Sequence, residues 1–166
     1  MKIREFRPSD AETICSWTKS EEDMYKWSAN QIARYPFGSQ DLISYFENSQ
    51  VPIVPLTAYD ENGNEEVPVG HLFIRWPSED KSVIRFGFII VDPELRGQGA
   101  GRKLVELGAE YGRDVLGARV ATLGVFLNNP AARYCYEAAG FVEEGDHSFW
   151  PTVYGDWECA EMKKDL

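Results

Sequence analysis

Three glycines at alternating positions, Gly97, Gly99 and Gly101, stand between Arg96 and the pair Arg102-Lys103. These are the residues of the chain best suited to holding an anion. Glycine lets the main chain approach a ligand without interference from a Cβ, so that backbone amides can be aimed at a phosphate. The stretch before them, Val83 to Val91, is rich in β-branched and aromatic residues. It reads as a strand with Ile84, Phe86, Phe88 and Ile90 on one face. Asp92-Pro93 ends that strand, because proline has no N–H to give. From about Gly99 to about Val115 the spacing of Leu104, Leu107, Gly108, Tyr111 and Val115 predicts a helix with these residues on one stripe. Strand, glycine turn and helix together set the positive end of a helix dipole beside the turn, which suits a phosphorylated ligand.

The kind of phosphate ligand can be narrowed. A G-x-x-x-x-G-K-[ST] loop fails, since the fifth residue after Gly97 is Arg102. A G-x-G-x-x-G dinucleotide fingerprint fails as well: its third glycine comes one place early, and no acidic ribose ligand stands around Phe126. A second chemical cluster follows the helix. Val120 to Phe126 alternates as a short strand and runs into Asn128-Asn129-Pro130, where an Asx cap and a proline open another helix. That helix carries Ala131, Ala132, Tyr134, Cys135, Tyr136 and Ala139, and Gly140-Phe141 stops it.

Arg96-Gly97-Gln98-Gly99-Ala100-Gly101 resembles the R/Q-x-x-G-x-G/A signature of the GNAT superfamily of acetyl-coenzyme A-dependent N-acetyltransferases. Asn129, Ala132, Tyr136, Gly140 and Phe141 are similar to the same family's N-x-x-A-x-x-x-Y-x-x-x-G-F pattern, some thirty residues later. The likeness covers about residues 67–145, and Phe6-Arg7-Pro8-Ser9-Asp10 resembles the family's opening turn. The resemblance implies an α/β fold over one domain, 1–166. Its central sheet would be mixed but mostly antiparallel, splayed between the fourth and fifth strands and flanked by helices. Gly87, small in a bulky strand, marks a bulge or a close backbone approach. In the family a bulge near this point opens the sheet to the coenzyme's pantetheine arm, which then bonds to the main chain as an added strand would.

The resemblance further implies a cofactor site and a reaction. Acetyl-coenzyme A would be bound by Arg96, Gly97, Gln98, Gly99, Ala100, Gly101 and Arg102 at its pyrophosphate. Ile89, Ile90 and Val91 would contact its pantetheine arm, and Asn129, Ala132 and Tyr136 border it. No metal is implied. The expected reaction is acetyl transfer to a primary amine, in a small molecule or at a peptide or protein N-terminus, by direct attack in a ternary complex. An oxyanion would be met by a backbone N–H of the splayed strand. Tyr136, whose phenol stays protonated at neutral pH, corresponds to the family's donor to the departing thiolate. Tyr134, two residues away, lies on another helix face. The amine must also lose a proton, and an amine of pKa about 10.4 is neutral only about once in 2,500 molecules at pH 7. Many family members offer a glutamate on the fourth strand; this strand has Val83, Arg85 and Gly87 and no carboxylate before Asp92. The base is therefore left open among water-relayed Glu21, Glu22, Asp23, His71, Glu143, Glu144 and His147. A non-catalytic acyl-coenzyme A-binding regulatory module is the alternative that this missing glutamate favours, and a nucleotide-binding enzyme is a third.

The elements around the site follow from the rest of the chain. At 166 residues, with 43% hydrophobic and 13% aromatic content, it can bury a sizeable core. A formal net charge of -10 argues against nucleic-acid or anionic-membrane partners and favours cationic ones. Cys15, Cys135 and Cys159 have no metal-ligand spacing and read as reduced thiols, so a cytoplasmic setting is expected. The opening Met-Lys-Ile-Arg-Glu-Phe lacks a signal peptide's apolar run. Ile3 and Phe6 mark a first strand, and Ser9 or Asp10 can cap a helix bearing Ile14 and Trp17. Another helix is expected between Gln40 and Glu47, with Leu42, Ile43 and Phe46 inward. Trp17, Tyr25 and Trp27 are core residues or a wall of the acceptor pocket. The acidic run Glu21-Glu22-Asp23 is a solvated helix start or an attractor for an ammonium group. Val51–Tyr59 and Val67–Trp76 read as strands, the first irregular at Pro52 and Pro55, joined by a longer loop holding Asn62-Gly63. His71 is either a hydrogen-bonded structural residue or a proton carrier. Family members are often dimers, so a homodimer is a further expectation of the resemblance.

Overall fold

The computed structural model describes all residues, Met1–Leu166. The chain runs β1 (Lys2–Glu5), a 3-10 turn at Pro8–Asp10, α1 (Ala11–Ser16), α2 (Glu21–Ser28), α3 (Ser39–Glu47), β2 (Ile53–Asn62), β3 (Glu65–Arg75) and β4 (Val83–Val91). Then come α4 (Ala100–Asp114), β5 (Val120–Phe126), α5 (Pro130–Ala138), β6 (Val142–Glu143), β7 (Ser148–Thr152) and β8 (Gly155–Asp165). One sheet orders them β1-β2-β3-β4-β5-β8-β6, with β7 also on β8. Every neighbouring pair is antiparallel except β4 and β5. This is the mixed, mostly antiparallel α/β sheet that the family resemblance implied. No helix is long and apolar enough to cross a membrane.

Two apolar clusters lie on the two faces of the sheet. On one, α4 and α5 bring Leu104, Val105 and Tyr136 onto Leu72, Ile84 and Phe86. On the other, α1, α2 and α3 bring Ile14, Trp27 and Leu42 onto Phe73, Phe88 and Ile90. Ile84, Phe86, Phe88 and Ile90 are all buried, yet they do not share a face as their alternation predicts. The register of β4 on β3 steps from Phe73↔Gly87 to His71↔Ile90, so Phe88 and Ile89 together oppose Leu72. Phe88 takes a left-handed φ of 50° to make this bulge. One extra residue reverses which side the strand's later side chains face. Gly87 is where the turn-over is tightest: a Cβ there would meet the Phe73 ring at 2.3 Å.

The buried stripe of α4 is likewise displaced. It runs through Leu104, Val105, Gly108, Ala109 and Gly112, while Val115, beyond the helix end, is 62% exposed. A Cβ on Gly108 would sit 2.8 Å from Leu72, and one on Gly112 would sit 2.3 Å from Ile84. The helix lies so close to the sheet that glycines form part of its contact face, Gly108 within the predicted stripe and Gly112 outside it.

Asp10 is a buried hub rather than a cap for α1. It accepts two bonds from Arg4 (2.7 and 3.0 Å), one from the Arg7 amide (2.9 Å) and one from Thr57 Oγ1 (2.8 Å). The β2–β3 hairpin is tighter than expected, with Asn62↔Glu65 closing a turn at Gly63 and Asn64. Ser20 caps α2 by accepting from the Asp23 amide, and Glu21, Glu22 and Asp23 form its first turn, the two glutamates exposed and Asp23 half-buried.

Candidate active site

β4 and β5 pair only from Val83↔Val120 to Arg85↔Thr122. Past that point they part, β4 turning over at its bulge while β5 stays with β8 through Phe126. The edge of β4 from Phe86 to Val91, which includes Ile89, Ile90 and Val91, thus faces no strand. Two helices start beside the parting. α4 begins at Ala100, after Gly97 and Gly99 in left-handed conformations (φ 74° and 83°), and no atom lies within 4 Å of where a Cβ of either would stand. That open space at a helix N-terminus can hold an anion. Gly101 serves differently: its Cβ would lie 3.1 Å from Cys135 Sγ, so α4 and α5 approach closely near their starts. Around the turn, Gln98 Nε2 donates to the Glu94 carbonyl at 2.7 Å, and Arg102 pairs with Glu106 at 2.7 Å. Arg96 follows the 3-10 turn Pro93–Leu95 in extended conformation.

α5 begins as its sequence predicts. Asn129 Oδ1 accepts from the Ala132 amide at 3.4 Å, and Pro130 occupies the first helical position. Tyr136 is 6% exposed, whereas Tyr134 is 73% exposed on another face. Burial raises the Tyr136 phenol above its ordinary pKa, so it stays protonated throughout the neutral range.

A cavity of about 130 Å³ opens in the parting, with Tyr136 and Asn129 on one side and Trp27, Phe73 and Phe88 on the other. Trp27 is both core and wall: its Nε1 donates to the Phe88 carbonyl at 2.8 Å. Arg75 and Arg85, which no motif singled out, also line the cavity, directly opposite each other in the β3–β4 register. Arg85 reaches Glu161 of β8 in a bidentate pair of 2.5 and 3.1 Å. The only trace of these residues in the sequence is Arg85 standing where a strand carboxylate was sought.

None of the candidate bases lines the cavity. His71 is fully buried beside the rings of Phe6 and Phe46. Desolvation lowers its pKa to about 3 against the smaller opposing effects of Asp10 and the Leu56 backbone, so it is neutral. His147 is held between Glu158 (2.6 Å) and Glu143 (2.7 Å), and Glu144 pairs with Lys163. Glu22 pairs with Lys26 at 2.7 Å.

Residues 13–141 match the acetyltransferase (GNAT) family, and the chain belongs to that family. Among its relatives, a spermidine N(1)-acetyltransferase of Vibrio cholerae is 40% identical over 57 residues, 34% of this chain and 33% of that one. An L-amino acid N-acyltransferase of Escherichia coli is 29% identical over 118 residues, 69% of this chain and 66% of that one. The matched stretches thus span a third and just under two thirds of those relatives. The crystal structure of spermidine N-acetyltransferase from Vibrio cholerae in complex with CoA and spermine superposes with a TM-score of 0.79 at 20% identity. That match covers 99% of this chain and 94% of the other, a likeness of fold.

Proposed function

We propose that the chain transfers an acetyl group from acetyl-coenzyme A to a primary amine by direct attack in a ternary complex. The observation that carries this reading is the parting of β4 from β5 after Arg85, flanked by the N-termini of α4 and α5. The amides from Gly97 to Gly101 and the dipole of α4 are suited to the diphosphate, with Arg96 and Arg102 adding positive charge. Open space above Gly97 and Gly99 fits such a group. The free edge of β4 at Ile89, Ile90 and Val91 suits an extended arm bonded as an added strand, bordered by Asn129 and Ala132. When bound, the coenzyme supplies an activated acetyl thioester. An unpaired main-chain N–H near the bulge would hold the carbonyl oxygen as charge grows on it. Tyr136, held protonated, would donate its O–H to the departing sulfur. The names of the two relatives point to amine acceptors, a polyamine in one and an L-amino acid in the other. The free thiols Cys15, Cys135 and Cys159 accord with a cytoplasmic setting.

The test is calorimetric titration with acetyl-coenzyme A followed by thiol-release assays over a panel of amines. Saturable binding with amine-dependent thiol release is expected. A folded protein that binds no acetyl-coenzyme A overturns the reading, and binding without turnover on any amine leaves the non-catalytic module.

A further inference from the structure

The chain has a formal net charge of -10, yet the charged residues lining its cavity are Lys26, Arg75 and Arg85, with no carboxylate among the lining residues. The local balance is opposite to that of the whole molecule. Lys26 and Arg85 have partners in Glu22 and Glu161. For Arg75, burial and the facing Arg85 lower the pKa, and only Tyr45 and Glu161 act at a distance in the other direction. Like charges directly opposite each other on neighbouring strands destabilise a sheet. Arg75↔Arg85 is such a pair, set at the rim of a cavity, with a single carboxylate between two guanidinium groups. The arrangement is one anion short.

The missing anion is not the diphosphate of the coenzyme. Arg85 stands some six residues before Val91, which places it roughly 20 Å along β4 from the strand end that leads into the glycine turn. It lies instead where the two strands are about to part, within the cavity that Tyr136 also lines. We infer that this cavity takes an acceptor amine carrying its own anionic group, an α-amino acid, whose carboxylate is held by Arg75 beside the Arg85–Glu161 pair. The inference rests on the acetyl-transfer reading above for the fate of the amine, and on the cavity alone for the fate of the carboxylate. A guanidinium fork matches a carboxylate in bidentate geometry. Trp27, Phe73 and Phe88 offer an apolar wall to a side chain of medium size. A polyamine brings several positive charges and no anion, and the lining cations, of which only Arg75 lacks an ion-pair partner, do not favour it. The same cations disfavour the ammonium form of a bound amine. They thus assist a deprotonation for which the cavity supplies no carboxylate or histidine.

The test compares L-leucine, L-methionine and L-phenylalanine with their α-carboxamides and with spermidine as acceptors. A charged hydrogen-bond pair is worth about 10- to 100-fold in affinity. The best amino acid is therefore expected to exceed its own amide and spermidine in kcat/KM by at least about tenfold. Arg75→Gln is expected to raise KM for the acid by a similar factor and to change KM for the amide at least several-fold less, with Arg75→Lys intermediate. Equal or better use of the amide or of spermidine overturns the inference while acetyl transfer stands. Direct calorimetry of the same acid and amide, without coenzyme, separates the two readings. Preferential binding of the acid that Arg75→Gln abolishes supports the inference even if no acetyl transfer occurs. Equal binding of acid and amide overturns it.

Discussion

The indole Nε1 of Trp27 donates to the main-chain carbonyl of Phe88 at 2.8 Å, tying α2 to the bulge of β4. Phe88 is the residue with a left-handed φ of 50°, a conformation that costs a side-chain-bearing residue roughly 1–2 kcal/mol. The bond gives the main-chain carbonyl at the bulge a buried side-chain donor. Trp27→Phe keeps an aromatic ring against Phe88 and Phe37 but removes the donor. A loss of about 1–3 kcal/mol in unfolding free energy is expected from the buried, unpaired acceptor. Urea denaturation measures it; an unchanged midpoint shows that the bulge does not depend on α2.

The glycine turn invites a paired substitution. Gly99→Ala imposes only the left-handed conformational cost, roughly 1–2 kcal/mol, since no neighbouring atom would meet the new methyl within 4 Å. Gly99→Asp imposes a similar cost and adds a negative charge at the start of α4. Both variants should fold, and the aspartate should weaken acetyl-coenzyme A binding by at least about tenfold more than the alanine, the effect of some 1.4 kcal/mol. Calorimetry giving the two variants equal affinity removes the diphosphate from this turn.

Residues 97 to 101 and 129 to 141 were legible in the sequence because their structure is locally determined. A left-handed turn needs glycine at 97 and 99, and Asn129-Pro130 caps a helix whatever packs around it. Gly87 likewise announced a break in β4. Which way the strand then faced was not legible, because one extra residue at Phe88 inverts a pattern of period two. The opposition of Arg75 and Arg85 was hidden for a related reason, since it depends on the register of two strands joined by a loop of unremarkable composition. Arg85 and Glu161 lie 76 residues apart and meet only because β8 inserts beside β5. β8 itself left little trace: Cys159 and Ala160 are buried in succession, so it shows no clean alternation.

His71 makes the protein sensitive to acid. Its pKa is about 3 in the fold, against an ordinary value near 6.5. Between those values the unfolded chain binds a proton at this residue that the folded chain refuses. Its contribution to stability is therefore whole above about pH 6.5 and declines as pH falls, by about 1.4 kcal/mol per unit at most. His71→Leu, similar in volume and without a titratable ring, should flatten the stability profile between about pH 6 and pH 4. Urea midpoints of both proteins across that range check it, and parallel profiles refute it.

Asp10 acts in the same direction at lower pH. Burial opposes its ionisation, but Arg4, the Arg7 amide and Thr57 outweigh burial and hold the carboxyl below its ordinary value. Its stabilisation is present above the ordinary carboxylate range and is lost as pH falls through the depressed value. Asp10→Asn leaves the largely buried Arg4 with only Glu66 as a charged partner. A loss of about 3 kcal/mol at pH 7 is expected from breaking a buried pair on one side. Denaturation of the variant at pH 7 measures it, and a loss below about 1 kcal/mol would make the hub a surface-like contact.

Tyr136 and Tyr134 offer the sharpest test of mechanism, because the fold separates two tyrosines that the sequence sets side by side. Tyr136 lines the cavity and is 6% exposed; Tyr134 is 73% exposed. A positioned general acid contributes typically about 10²–10⁴-fold in rate. Tyr136→Phe deletes one hydroxyl and keeps the ring in the core beside α4, so acetyl-coenzyme A affinity should change little while kcat falls within that range. Tyr134→Phe should leave both unchanged. Burial keeps the Tyr136 phenol protonated, so its loss should lower the plateau of the pH–rate profile without moving the acid limb, if that limb belongs to the amine. Single-turnover acetylation of the preferred acceptor isolates the chemical step from product release. A Tyr136→Phe variant that matches the wild-type rate in that assay shows that thiolate departure needs no phenol here. An equal loss of rate and of coenzyme affinity assigns the hydroxyl to binding instead.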